Sequence, residues 1–520
     1  MPKHFFNISG PCVPNEHYML DPLRNIGDEL AELIDQRQYF VIHAGRQSGK
    51  TTLLMELARK INAQGEYYAL YCSLESLYEF KESEIGIPEI VNKIESCIRL
   101  QGLPEGFAKD ANYGHISGVL NNSLADYCRS LDKPLIIFFD EADCLSDGTL
   151  ITFLRQIREG YINRSNVPFV HSLALVGMRN LQNYRAQIRP DVYTLGSMSP
   201  FNIVTESFNL KNFTQTEIAE LYAQHTAETG QIFEPQAISH IFEQTQGQPW
   251  LVNAAAREAV KKDKSIPITK DLAELAIRNI ILSWGTHFSS LIARLQEPRI
   301  RKVIKPLIIG EETISKLSDD YLYVKEMGLI RDDRGRTEPA NPIYAELIIR
   351  ALNQDVQDSI TETRENYTVP RYIKNGKIDM DFLIGDFQKY WRENSEIWAK
   401  RYKNDIYEYE EAAPHLVLQA FLQRVINGGG QIIREMALGK RRADLCVIYD
   451  GHKYPIELKI LQNAKTYSEG LTQLSDYMDK VGSNVGWLVI FDRDTEKNWD
   501  EKIYMKKETV NEKEITVAGC

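Results

Sequence analysis

Two groups of residues in this 520-residue sequence have types and spacings suited to chemistry on phosphate. The first is Ala44-Gly45-Arg46-Gln47-Ser48-Gly49-Lys50-Thr51-Thr52, with Ala44 in the position where such loops often carry a first glycine. A triphosphate needs many oriented N–H donors, one mobile cation and a hydroxyl for its metal. Gly45 and Gly49 let the backbone wrap closely, Lys50 can reach the β- and γ-phosphates, and Thr51 can hold Mg²⁺. ATP or a near relative is the ligand to expect. Further on, Asp140-Glu141 follows the apolar run Leu135–Phe139. Asp140 would join the Mg²⁺ shell and Glu141 would polarise the attacking water.

The second group is Asp444, Glu457 and Lys459. Asp450-Gly451 is a favoured two-residue hairpin turn. If it closes a hairpin, residues whose numbers sum to 901 lie opposite each other, as the turn residues do. Asp444 then faces Glu457, with Cβ atoms about 4.5–5.5 Å apart. Lys459 projects on the same side, while Leu445, Val447, Tyr449, Ile456, Leu458 and Ile460 form the opposite, apolar face. Close carboxylates repel unless a divalent cation sits between them, and a neighbouring ammonium suits activation of water or neutralisation of charge at phosphorus. That combination points to metal-dependent phosphodiester hydrolysis, with Mg²⁺ or Mn²⁺.

These residues need elements to hold them. Tyr39–His43 reads as a strand, and the helix after the loop would aim its positive end at the phosphates. Leu23, Ile26, Leu30, Leu33 and Ile34 predict a helix before that strand. Tyr67–Cys72, Leu135–Phe139 and His171–Gly177 read as further strands, with a helical stretch over 85–130, so the acid pair falls on the ligand-binding edge of an α/β sheet. The letters Asp-Glu-Ala-Asp at 140–143 match a helicase motif, but no other helicase motif accompanies them. From Thr214 the pattern is helical, opening on the capping box Thr214-Gln-Thr-Glu217. At 245–252, Gly247 and Pro249 break the chain just before a helix, which can seat Pro249 against a base.

The loop, the acid pair and Gly247-Gln248-Pro249-Trp250 together resemble the AAA+-related ATPases of the STAND and archaeal-ATPase groups. The resemblance implies an α/β P-loop NTPase core over 1–213 and a helical lid over 214–283. It also implies a γ-phosphate sensor at Arg179 or Asn180, and a winged helix over 284–352, where helix, strand, charged glycine turn and strand follow in order. Arg331, Arg334 and Arg336 would meet DNA phosphates in such a module, whereas the acids at 332–333 favour its packing on the ATPase.

Residues 353–378 read as a polar linker. Over 379–520 an amphipathic helix carries Met380, Leu383, Ile384, Phe387, Tyr390 and Trp391, a second runs from Glu410 to Ile426, and three strands should follow. Here Asp444…Glu457-x-Lys459 resembles the PD-(D/E)XK nuclease signature, with Ala443 in place of its proline. Gln473-Leu-Ser-Asp-Tyr477 resembles the Gln-x-x-x-Tyr motif of one branch, which makes Gln473 and Tyr477 supporting residues. Glu410 or Glu411 would supply a further metal ligand, and Lys440-Arg441-Arg442 offers phosphate contacts. The whole chain resembles bacterial proteins that pair an AAA-like ATPase with a C-terminal restriction-endonuclease-like α/β domain. That resemblance implies ATP control of a metal-dependent nuclease, with DNA as the expected partner and ATP-dependent self-assembly as a further expectation. The alternative is a STAND-like switch whose C-terminal domain binds nucleic acid or a partner without cutting.

Composition narrows these readings. A net charge of −11 argues against wholesale coating of nucleic acid. Seven scattered cysteines with no Cys-x-x-Cys pair suggest neither a disulfide framework nor a zinc site, which fits a reducing cytoplasm. No apolar run approaches the roughly 20 residues of a membrane span, so no membrane partner is expected.

Overall fold

The computed structural model describes residues 3–107, 116–178, 203–261, 266–282, 291, 293–309, 315–316, 318–333, 336–348, 351, 369–403, 413–426, 430–434, 445–461, 463, 465–492, 494 and 497–520. They divide into two compact units, Met1–Ile280 with Lys316–Arg331, and Ile281–Ser315 with Asp332–Cys520. All seven cysteines are free thiols. Among the described residues no helix is long and apolar enough to cross a membrane.

In the first unit the apolar runs become a parallel sheet: β1 (Tyr39–His43), β2 (Tyr68–Ser73), β3 (Leu135–Asp140), β4 (Ser172–Gly177) and β5 (Val204–Asn209), in the order β2-β3-β4-β1-β5. Parallel strands need crossovers that cover both faces, so their residues are apolar throughout rather than alternating. β3 and β4 are buried at every position. The helices α1 (Gly27–Asp35) and α2 (Lys50–Gln64) cover one face through Leu30, Leu33, Leu53, Leu54 and Leu57, against Phe40, Ile42 and Phe138. On the other, α3 (Ser83–Leu100), α4 (Ile116–Ser130) and α5 (Asp147–Asn163) pack Ile90, Ile94, Leu124 and Phe153 against Val41, Ile137 and Phe139. Because β4 lies between β1 and β3, His43, Gly177 and Asp140 end side by side on one edge.

β5 has no counterpart among the expected strands. It is an edge strand paired with β1, and most of Val-Thr-Glu-Ser-Phe-Asn faces solvent, so it lacks the apolar run that marks its neighbours. Four helices follow over the stretch read as a lid, α6 (Gln215–Thr229), α7 (Pro235–Thr245), α8 (Pro249–Ala259) and α9 (Lys270–Leu282). The capping box is formed in both directions: Glu217 N–H donates to Thr214 Oγ1 at 3.2 Å and Thr214 N–H to Glu217 Oε2 at 2.7 Å. Next in sequence come the helix Pro298–Ile309, which belongs to the second unit, the helix Asp319–Glu326 of the first, β6 (Ile330–Asp333), where the first unit ends, and β7 (Arg336–Pro339) of the second.

The second unit holds a short ribbon, β8 (Ile373–Lys374) with β9 (Lys377–Ile378), inside the stretch read as linker. Tyr372 and Ile378 of this stretch are buried in the core of the second unit. The helices Met380–Lys403 and Ala413–Ile426 precede a six-stranded mixed sheet: β10 (Gly430–Arg434), β11 (Leu445–Tyr449), β12 (His452–Ile460), β13 (Val485–Phe491), β14 (Tyr504–Val510) and β15 (Lys513–Gly519), in the order β10-β11-β12-β13-β15-β14. The first three form an antiparallel meander that includes the expected hairpin, and the helix Lys465–Val481 carries the chain across to β13, parallel to β12.

The hairpin turn adopts positive φ at Asp450 (47°) and Gly451 (76°). The register follows the predicted sum, from Tyr449 opposite His452 to Leu445 opposite Ile456, with no shift at Pro455. One expectation is corrected here. The sheet does not separate a core face from one given over to chemistry: Cys446, Leu488, Ile490 and Val517 form a second core with Leu474, Tyr477 and Met478 of Lys465–Val481. A crossover helix must cover that face once β13 runs parallel to β12.

Candidate active site on the parallel sheet

The loop after β1 turns into α2 through Gly49, at φ 92°, where a side chain would be strained. Lys50 is 5% exposed, and its Nζ donates to the carbonyl oxygens of Ala44 at 3.0 Å and Gly45 at 3.1 Å. Burial lowers its pKa, and the charges of Glu141, Asp140 and Asp143 oppose that shift. Lys50 is thus a cation held by carbonyls that a phosphate can outbid, since hydrogen bonds between charged groups are about twice as strong as neutral ones. Ser48 Oγ is buried and has no hydrogen-bond partner among the described residues. Buried polar groups are ordinarily satisfied, so an unmet hydroxyl inside this cradle fits a ligand rich in acceptor oxygens.

The acid pair sits opposite. Thr51 Oγ1 donates to Asp140 Oδ2 at 2.7 Å, and Tyr71 OH donates to the same oxygen at 3.1 Å. Asp140 Oδ1 accepts from Glu141 N–H at 3.0 Å. A threonine hydroxyl beside one carboxylate matches Mg²⁺, which takes few protein oxygens and fills its octahedron with phosphates and water. Glu141 adopts φ 53°, a left-handed conformation that costs about 1–2 kcal/mol for a side-chain-bearing residue and tends to persist at functional positions. Its carboxyl is pushed up to about 7 by burial, with Lys50 lowering it and Asp143 and Asp140 raising it.

Two residues here were not singled out in the sequence. Tyr71 orients Asp140, and burial together with that carboxylate holds its phenol well above the usual range. Asp143 accepts from Met178 N–H at 3.1 Å through Oδ2 and so pins the chain as it leaves β4. Tyr71→Phe removes one of the three hydrogen bonds described to the Asp140 carboxylate, worth about 1 kcal/mol. The expected result is a fall of about three- to ten-fold in apparent Mg²⁺ affinity when nucleotide is titrated at varied Mg²⁺. Arg179 and Asn180 lie outside the described residues.

The turn before α8 also reaches the loop. Gln248 caps α8, accepting from Leu251 N–H at 2.6 Å, and its Nε2 donates to the carbonyls of Arg46 and Gln47, both at 3.4 Å. Pro249 is the first residue of α8. Arg331, read as a DNA-phosphate contact or as part of a module packed on the ATPase, donates to Gln246 Oε1 in the turn before α8. Gly247 has φ 71°, and a methyl group there would lie 1.8 Å from Phe213 O. Gly247→Ala therefore combines backbone strain with overpacking, for an expected loss of about 2–4 kcal/mol read from denaturant unfolding.

A family model for the AAA-like domain matches residues 23–349. The chain belongs to the AAA-like domain family. Residues 380–495 match the domain of unknown function DUF8371. The AAA-like chain is also similar to the Walker-type ATPase of Pyrococcus abyssi, at 16% identity and a TM-score of 0.45 over 66% of this chain and 99% of that one. It is similar to Cdc6p from Pyrobaculum aerophilum at 14% and 0.37, over 67% and 97%. With the Holliday junction branch migration motor RuvB of Thermotoga maritima the values are 13% and 0.31, over 61% and 91%. No curated protein matches the sequence.

In the C-terminal unit of this AAA-like protein, Glu457 is 2% exposed, between the sheet and Lys465–Val481. Its Oε1 pairs with Lys459 Nζ at 2.6 Å, and Lys459 also donates to Gln473 Oε1. Tyr477, one turn from Gln473, is buried in the core of that face beside Cys446. Glu457, Lys459 and Gln473 are thus brought together. Asp444, Glu410, Glu411 and Lys440–Arg442 lie outside the described residues, as do Arg334 and the side chain of Arg336. Among the described residues no cluster of three His, Cys, Asp or Glu could hold a metal.

Proposed function

We propose that the AAA-like domain binds and slowly hydrolyses Mg·ATP, with 1–213 as its nucleotide core and 214–283 as its lid, and that nucleotide controls a metal-dependent phosphodiesterase site over 379–520. The observation that carries the first half is the convergence of Lys50, Thr51, Asp140 and Glu141 from two strand ends. Lys50 exchanges its two carbonyl partners for β- and γ-phosphate oxygens, while loop N–H groups take the rest of the charge. Mg²⁺, when bound, would supply neutralisation of the charge developing on the phosphates. Thr51 and Asp140 would hold it, Tyr71 orients Asp140, and Glu141 aligns water for attack. Lid closure through Gln248 excludes bulk solvent.

For the C-terminal site, the buried Glu457 with Lys459 and Gln473 supports the reading. So does the hairpin register, which keeps the expected sum from Tyr449 opposite His452 to Leu445 opposite Ile456. A second reading has its own support. The carboxylate of Glu457 is already engaged by Lys459 under a covering helix, as in a site that is structural. The protein would then be a nucleotide-driven switch that binds nucleic acid or a partner without cutting.

Incubation of the purified protein with plasmid, single-stranded DNA or RNA, with Mg²⁺ or Mn²⁺ and with or without ATP, separates these readings. Cleavage that is lost in Asp444→Ala is the expected result. Phosphate release from ATP with no cleavage of any substrate would leave only the switch.

A further inference from the structure

Gly45 is the second residue of the nucleotide loop, and its α-carbon lies against another backbone. A methyl group on it would come within 3.1 Å of Met327 O and 3.2 Å of Gly328 Cα. The fit is reciprocal: Gly328, at φ 74°, would bring a methyl to 3.3 Å from Gly45 Cα. Three residues after Gly328, Arg331 donates to Gln246 Oε1, and Gln248 of the same lid turn donates to the carbonyls of Arg46 and Gln47. Loop residues 45–47 are therefore held by the Met327–Gly328 turn and by the lid turn, and Arg331 ties the two holders together.

The segment Lys316–Arg331 packs with the nucleotide-binding unit, yet the chain enters it from Ser315 and leaves it at Asp332, both of the other unit. We propose that this segment reads the state of the nucleotide loop and conveys it to the rest of the chain, with Arg331 as a positioning residue. The inference rests on the assignment of 44–52 as the ATP site. Ligand binding draws Lys50 away from the carbonyls of Ala44 and Gly45, so the backbone at Gly45 is where occupancy first changes the loop. Because the contact with Gly328 is backbone on backbone, no rotamer change can absorb the displacement, and close-packed interiors pass such strain onward.

Hydrogen exchange on the full chain, with and without a non-hydrolysable Mg·ATP analogue, tests this. In the wild type, exchange should slow over both 45–52 and 318–331. In Arg331→Ala, protection should persist over 45–52 and fall away over 318–331, with release of a fluorescent ATP analogue about five-fold faster or more, in the range of ordinary coupling factors. Arg331→Lys, which keeps a donor for Gln246, should restore part of both effects. Protection over 45–52 alone in the wild type would overturn the inference and leave the ATP site standing. Protection over neither segment would overturn both. An Arg331→Ala protein indistinguishable from wild type would remove Arg331 from the device, and the wild-type comparison decides the rest even if that variant does not fold.

Discussion

Lys50→Ala should abolish nucleotide binding. In the free protein the Lys50 ammonium is buried and donates to two carbonyls, within the field of Glu141, Asp140 and Asp143. A triphosphate offers it charged acceptors instead, and each hydrogen bond to a charged group is worth about 1.5–3 kcal/mol. Two such bonds correspond to a loss of about 10²–10⁴-fold in affinity, at 1.4 kcal/mol per factor of ten. Calorimetric titration of Mg·ATP into wild type and variant reads this directly. Equal affinities would remove the loop from nucleotide binding altogether.

Glu141→Gln should separate binding from turnover. The substitution keeps size and hydrogen-bonding capacity but removes the group able to orient and accept a proton from water. ATP should stay bound while hydrolysis falls by about 10²–10⁴-fold, the usual range for a positioned general base. The pH dependence follows from the same residue. Burial pushes the Glu141 carboxyl up to about 7, so at lower pH it is protonated and cannot accept. In the wild type kcat/KM for ATP should therefore rise with pH, inflect near 7 and level off above it, because that ratio reports the free enzyme's groups. A profile that is flat between pH 6 and 8, or turnover in Glu141→Gln close to wild type, would place the base elsewhere.

The nucleotide half of this chemistry was largely legible in the sequence because it is local. Lys50 and Thr51 follow Gly49 directly, and Asp140-Glu141 is announced by five apolar residues that only a buried strand explains. Tyr71 was not legible. Its role depends on β2 lying beside β3, and no local pattern states which strands are neighbours. Gln248 was seen only as part of a break before a helix, since its contacts with Arg46 and Gln47 span the whole core. β5 was missed because a solvent-facing edge strand has neither an apolar run nor strict alternation.

In the C-terminal domain, turn chemistry alone set the register of β11 on β12, a short-range constraint that a two-residue loop enforces. What the turn could not reveal was the helix covering the second face. Its apolar residues, Leu474, Tyr477 and Met478, belong to the same helix as Gln473, and their partners on β13 and β15 come later in the chain. The motif residue was read, but not the core around it.

The two halves meet in one question, whether nucleotide changes what the C-terminal domain does. A ligand shifts an equilibrium only by its difference in affinity for the two states, and by linkage the effect is mutual. The measurement that tests it most directly is DNA binding by the full chain, with and without a non-hydrolysable ATP analogue, for wild type and Lys50→Ala. The expected result is an affinity change with the analogue in wild type and none in Lys50→Ala. Indistinguishable curves throughout would contradict nucleotide control and leave two domains that are merely tethered.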